Sequence, residues 1–210
     1  MRAVLGTNLR CVMNTDVPTD VQAFIVEGPA TEKEVSGLEE KLGFHLPKSL
    51  KEVLLNFSRK VEYRWFFPES FEIEGDLSEI FLGDRHWSLD WIYEFNDSKN
   101  GWIEECFPNK EDSYDAVWHN KLVFHEVGNG DYLAIDISSP EAESVVYLSH
   151  DDGDGRGVEL AKNFKDFVFE SSLIGGEDWQ HMPFIDNENM NVSGSCANAI
   201  KLRDALGIKA

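Results

Sequence analysis

The sequence is short of cysteine, short of positive charge and without a long apolar run. Cys11, Cys106 and Cys196 are its three cysteines, far apart and with no CxxC pair. A disulfide framework is therefore not expected, and a reducing compartment is. Cys106 follows Glu104 and Glu105, whose charges disfavour the thiolate that a nucleophile needs. No stretch approaches the ~20 apolar residues of a membrane helix. The opening MRAVLGTNLRCVMNTD lacks both the apolar core and the small-residue cleavage pattern of a secretory signal. The expected location is cytoplasmic. No internal repeat or low-complexity tract interrupts the 210 residues, so one domain with extensions is expected.

Basic residues number 19 against 39 acidic ones, a net charge of −20. Nucleic acid is excluded as a partner, because its phosphates would meet a repulsive field, and so is an acidic membrane surface. A cationic protein partner is favoured instead, since opposite fields raise association rate and selectivity. The acidity is uneven. Residues 1–60 carry 8 Lys/Arg and 8 Asp/Glu, residues 61–120 carry 4 and 15, and residues 121–210 carry 7 and 16. Everything after the first helices is acidic.

Several site motifs are missing. The histidines stand at 45, 86, 119, 125, 150 and 181, and none forms HxH or HxxxH, which argues against zinc. SHDDGDGRG (149–157) invites a calcium reading. Fitting an EF-hand loop puts His150 at position 1, Asp152 at 3, Asp154 at 5, Gly155 at 6 and Ala161 at 12. Positions 1 and 12 need oxygen ligands, so the motif fails, and the stretch is read as an acidic turn after a strand. Gly128-Asn129-Gly130 is no phosphate loop, for it lacks a Lys and a following helix. Neither a metal nor a cofactor is expected.

The elements that are present have clear patterns. Thr31-x-x-Glu34 is a capping box opening a helix with Val35, Leu38 and Leu42 on one face, ended by Gly43. Pro47 starts a second helix carrying Leu50, Val53, Leu54 and Phe57. Alternation in VEYRWFF (61–67) predicts a strand, and residues 71–73 and 79–83 predict two short ones. Leu89, Ile92 and Phe95 predict a helix within 88–107, and Tyr114–Trp118 a helical turn. In KLVFHEVGNGDYLAIDI (121–137), Asn129-Gly130 predicts a two-residue type I′ hairpin. That register pairs Phe124 with Ile135 and Leu122 with Ile137, and makes His125 and Asp136 diagonal neighbours on the face away from the core. A third strand (145–149), a helix over 159–172 and a last helix over 195–206 follow. Helices, then an antiparallel meander, then helices make an α+β fold.

At this point the sequence resembles the SUKH superfamily, the fold of a fungal cell-wall-synthesis regulator and of many bacterial toxin-immunity proteins. The run EGPATEKEVSGLEEKLGFHLPKSLKEVLLNFS is similar to that family's opening helices, with its Leu-Gly, Leu-Pro and Leu core at Leu42-Gly43, Leu46-Pro47 and Leu50. The hairpin pattern is matched by Phe124, Gly128, Gly130, Asp131 and Asp136, and VVYLSHD and AKNFKDFV resemble the strand and helix that follow. The likeness covers roughly residues 24–175. It departs at Asn56-Phe57-Ser58-Arg59, where many members have Asn-Gly-Gly. The domain reading is an extension over 1–23, a SUKH-like domain over 24–175, and a C-terminal extension over 176–210 whose helix packs on the same domain.

The resemblance implies a binding protein, not an enzyme: an immunity protein that neutralises a cognate, basic toxin of nuclease or deaminase type by stoichiometric binding. The alternative is an intracellular regulatory interaction module of the same fold. Candidate partner contacts, chosen for polarity and placement in loops or strand edges, are Glu69, Glu72, Glu74, Asp76, Asp84, Asp151, Asp152 and Asp154, with His125 and Asp136 added as a polar pair. A His–Asp couple can orient a base, but no nucleophile can be placed beside it.

Overall fold

A computed structural model describes residues 20–151, 153, 155–176, 180–186 and 190–207. Two antiparallel sheets are packed with five helices. The first sheet is β1 (Asp20–Val26), β2 (Lys60–Phe66) and β3 (Leu82–Ser88), in that order. The second is β4 (Lys121–Glu126), β5 (Tyr132–Asp136), β6 (Val145–Leu148) and β7 (Glu159–Ala161). The helices are α1 (Glu32–Leu42), α2 (Lys48–Asn56), α3 (Ile92–Cys106), α4 (Phe164–Ile174) and α5 (Ala197–Ala205). The architecture is the α+β fold expected.

Local chemistry sets the first helices. Thr31 Oγ1 accepts from Glu34 N at 3.2 Å while Glu34 accepts from Thr31 N at 2.7 Å, which is the capping box. Gly43 ends α1 at φ 78°, a left-handed conformation glycine adopts without a Cβ clash. Pro47 cannot cap α2 with a side chain. Glu143, far along the chain, does so instead, accepting from Lys48 N and from Ser49 N (3.1 Å). A carboxylate there also meets the positive end of the helix dipole. Leu50, Val53, Leu54 and Phe57 face inward and are buried, each contributing roughly 1.5–3 kcal/mol by leaving water.

The second sheet is covered on both faces. Leu122, Phe124, Leu133, Ile135, Val145 and Tyr147 join the main core with α1, α2, α4 and α5. Val123, Tyr132, Ala134, Val146 and Leu148 form a second core with Phe107 and Trp118. α3 also serves β4 as a substitute strand. Asn96 Nδ2 donates to Val123 O (2.9 Å), Val123 N donates to Asn96 Oδ1 (3.0 Å), and Lys99 Nζ donates to Lys121 O (2.8 Å). Buried backbone groups on a sheet edge need such partners.

Five sequence expectations are corrected. β1 pairs with β2 from Asp20 onward, so the boundary expected at residue 24 falls inside a strand. Residues 71–73 form no strand, because Phe71 turns back to stack on Phe67 with ring centroids 4.2 Å apart. The strand expected over 79–83 lies at Leu82–Ser88 instead. The helix expected from residue 159 begins at Phe164 with Asn163 as its cap, and Glu159–Ala161 is β7.

The hairpin register also differs. Val127 N donates to Asp131 O (2.8 Å) and Gly130 N to Val127 O (2.9 Å), with Gly130 at φ 92°. This is a three-residue loop over 128–130, not the two-residue type I′ turn, which would need positive φ at Asn129 as well. A bulge between Val123 and His125 adds a second slip, so Leu122 rather than Phe124 faces Ile135. Two single-residue slips restore the alternation. Leu122, Phe124, Leu133 and Ile135 accordingly stay on the core side, and Ile137 packs against it half-buried.

Candidate functional site

The acidic candidates divide into exposed, buried and undescribed. Glu69, Glu72, Glu74 and Asp76 are exposed on the loop between β2 and β3. The loop is anchored from beneath. Phe67 N donates to Phe81 O (2.8 Å), Leu77 and Ile80 are buried, and Lys201 Nζ donates to Glu74 O (2.6 Å). Four carboxylates therefore face water on a held backbone. Phe81 stands beside them, 46% exposed.

SHDDGDGRG is tied to the hairpin through Asp131. Asp131 Oδ1 accepts from His150 N (2.8 Å) and lies 2.6 Å from His150 Nδ1, and its Oδ2 accepts from Asn129 Nδ2 (2.8 Å) and from the Tyr147 hydroxyl. Arg156 donates to Ser149 O and Tyr114 O, both at 2.8 Å, and lies over the Tyr114 ring. Asp151 is exposed at the tip. Asp152 and Asp154 lie outside the described residues. The described residues of the stretch are anchored by Asp131, a hairpin residue that was not among the sequence candidates. Its signal was available, as the Asp of the Gly-x-Gly-Asp hairpin.

The His125–Asp136 pair does not form. The bulge places Asp136 opposite Lys121, whose Nζ lies 3.4 Å away, and His125 opposite Leu133. Burial raises the Asp136 carboxyl, but Ser138 hydrogen bonds and Lys121 outweigh it and hold it below its ordinary value. His125 is 0% exposed, which leaves it no surface to offer a docked protein. It lies instead against β3. Its Nδ1 is 2.9 Å from His86 O and 3.1 Å from His86 N, and its ring lies against the His86 ring, tilted by 37° with centroids 3.9 Å apart. Burial first, then the charges of His86 and Arg85, push His125 well below the usual histidine range, so it stays neutral.

Asp84, also proposed as a contact, is 2% exposed. Its Oδ2 accepts from Arg64 Nε (2.7 Å) and its Oδ1 lies 3.1 Å from His86 Nδ1. Burial alone would raise this carboxyl. Hydrogen bonding and charge from His86 and Arg64 offset that and lower it. Buried and paired, Asp84 supports the sheet rather than facing a partner.

A second acidic surface escaped the sequence candidates. Glu94, Asp97 and Glu104 recur at helical spacing on α3, Glu105 lies beside Glu104, and all four are exposed. Lys99, the lone cation of the helix, is turned inward and is 7% exposed. The signal was in the sequence as the acidic excess of residues 61–120, but only packing shows that Lys99 is withdrawn. Among the described residues no helix is long and apolar enough to cross a membrane.

Comparison with known proteins agrees with this architecture. The model of the SMI1 / KNR4 family (SUKH-1) matches residues 29–170. No curated protein matches the chain. The matched family includes immunity proteins and cell-wall regulators, and its domains are protein-binding modules of immunity or regulation. With the matched region running from the capping-box helix into α4, through β2, β3 and the whole second sheet, this chain belongs to the SMI1 / KNR4 (SUKH-1) family.

Proposed function

We propose that this chain is a non-catalytic immunity protein that neutralises a basic toxin domain, of nuclease or deaminase type, by stoichiometric binding through its acidic surface in the cytoplasm. One observation carries the proposal: the carboxylates of the β2–β3 loop and of α3 are exposed, while the α3 cation is buried. Exposed acidic groups of this kind steer a cationic partner and select it over neutral ones. Toxins that act on nucleic acid are commonly basic, because they must grip phosphates, and an acidic surface imitates that charge. The family supports the reading, since it includes immunity proteins.

The test is affinity capture on the purified chain, from the source cells and their close competitors, followed by reconstitution with the captured domain. A single basic domain, bound one to one, weakened by high salt and stripped of its toxicity on binding, is the expected result. Salt sensitivity follows from a Debye length of about 10 Å at 0.1 M. Capture of a neutral host protein, insensitive to salt, would reject the immunity role in favour of the regulatory module.

A further inference from the structure

We propose that Asp84, His86 and His125 form a binding site for one divalent transition-metal ion of the zinc class, at the seam between the two sheets. The proposal does not rest on the identity of any protein partner. It reverses the expectation of no metal, which came from sequence spacing alone. One carboxylate oxygen and one nitrogen from each ring lie within 4.8 Å of one another. Asp84 and His86 are two apart on β3, and so on one face. His125 reaches them from β4, 39 residues further along the chain.

Three features separate this group from a chance cluster. First, His125 Nε2 is fully buried and has no hydrogen-bond partner. An orphaned polar atom in a native interior calls for an explanation, an ion being one. Second, both rings are already oriented: the His125 ring by the His86 backbone, whose carbonyl oxygen lies 2.9 Å and whose nitrogen lies 3.1 Å from Nδ1, and the His86 ring by Asp84 Oδ1, 3.1 Å from its Nδ1. A bond from His125 Nδ1–H to that carbonyl leaves the lone pair on Nε2, the usual outer-shell device for a metal-bound imidazole, and His86 offers Nδ1 beside Asp84 Oδ1. Third, two of the three residues are reachable. A cavity of about 370 Å³ opens onto Asp84 and His86, lined also by Glu62, Arg64 and Trp91, and His125 lies behind the His86 ring.

Two imidazoles and a carboxylate are a zinc-type donor set with a fourth position left for water or a further carboxylate. Glu62 lies directly opposite His86 across the β2–β3 pair and lines the same cavity. Arg64 occupies Asp84 Oδ2, so Oδ1 is the oxygen turned toward the rings. Ligands around a tetrahedral ion with bonds of about 2.0–2.1 Å stand roughly 3.3 Å apart. The set must therefore close by about an ångström and a half. β3 and β4 share no ladder, and the His125 side chain bridges them, so a bound ion would tie the two sheets together.

The experiment is titration of the full chain, stripped with a chelator, with zinc chloride by calorimetry, alongside imidazole ¹⁵N spectra of the wild-type protein. The expected result is one ion per chain, ring-nitrogen shifts at His86 and His125, and a higher unfolding temperature with metal. His86→Gln, at a position 17% exposed, is expected to weaken binding at least tenfold while keeping its fold. His150→Ala, which removes the partly exposed histidine beside Asp151, is expected to leave zinc binding unchanged. Absence of binding, or ring shifts at His150 instead of His86 and His125, would overturn the proposal, and the spectra decide this even if a variant misfolds.

Discussion

Lys99 shows how one side chain can be read twice. In the sequence it stands between the acidic residues Asp97 and Glu104. In the fold it is buried and its ammonium donates to the Lys121 carbonyl. Burial, and then the charge of Lys121, lower it to about 8 from 10.5. The unfolded chain therefore binds more protons than the folded one between those values, and folding stability from this group rises with pH across that window. At neutral pH the penalty is on the order of 3 kcal/mol, taking about 1.4 kcal/mol per pKa unit. Urea unfolding of wild type and Lys99→Met from pH 7 to 10.5 is expected to show wild type gaining on the variant as pH rises. A constant difference would show that Lys99 keeps an ordinary pKa. Gly83 is a second such residue. A Cβ there would lie 2.6 Å from Gly176 O and against the Trp65 indole, a closeness that no sequence pattern reveals.

Among the elements, α1 and α2 were legible because their signals are local: a capping box, a left-handed glycine and apolar residues at helical period. The β4–β5 hairpin was legible in kind and in its core face but not in register. Asn129 was read as a turn-former, yet its side chain is engaged by Asp131 and Tyr147, and the loop takes a third residue. The bulge at Phe124 has no local signature. It is where Asn96 grips Val123 on one side and His125 turns to β3 on the other. Asn96→Ala leaves the Val123 N–H and C=O without that partner. Destabilisation of roughly 2–6 kcal/mol is expected, from about 1–3 kcal/mol for each of the two orphaned buried groups. Denaturant unfolding measures it, and a loss under 1 kcal/mol would mean water replaces the amide.

Over the whole molecule, the charge of −20 acts through its placement. The β2–β3 loop holds one acidic group and α3 another, and neither has an exposed Lys or Arg within it. Replacing Glu94, Asp97, Glu104 and Glu105 by their amides is expected to slow association with a basic partner severalfold and to flatten its salt dependence. Thermal stability should change little, because all four are exposed. Stopped-flow association across a salt series checks this. An unchanged rate would move the docking face to the β2–β3 loop.

The sequence by itself determined the α+β class, the two opening helices, the core set of the hairpin and the sign of the field, since each depends on composition or on residues within a few positions of one another. Only the tertiary structure decided which distant groups meet. Asp136 was paired with Lys121 and not with His125, Lys99 was withdrawn from the acidic face, and Asp84, His86 and His125 were gathered at one seam. The physical reason is that each depends on contacts between segments far apart in the chain, which no local pattern encodes. For Asp136 a one-residue slip at a loop and another at a bulge left the local pattern almost unaltered, yet changed its partner.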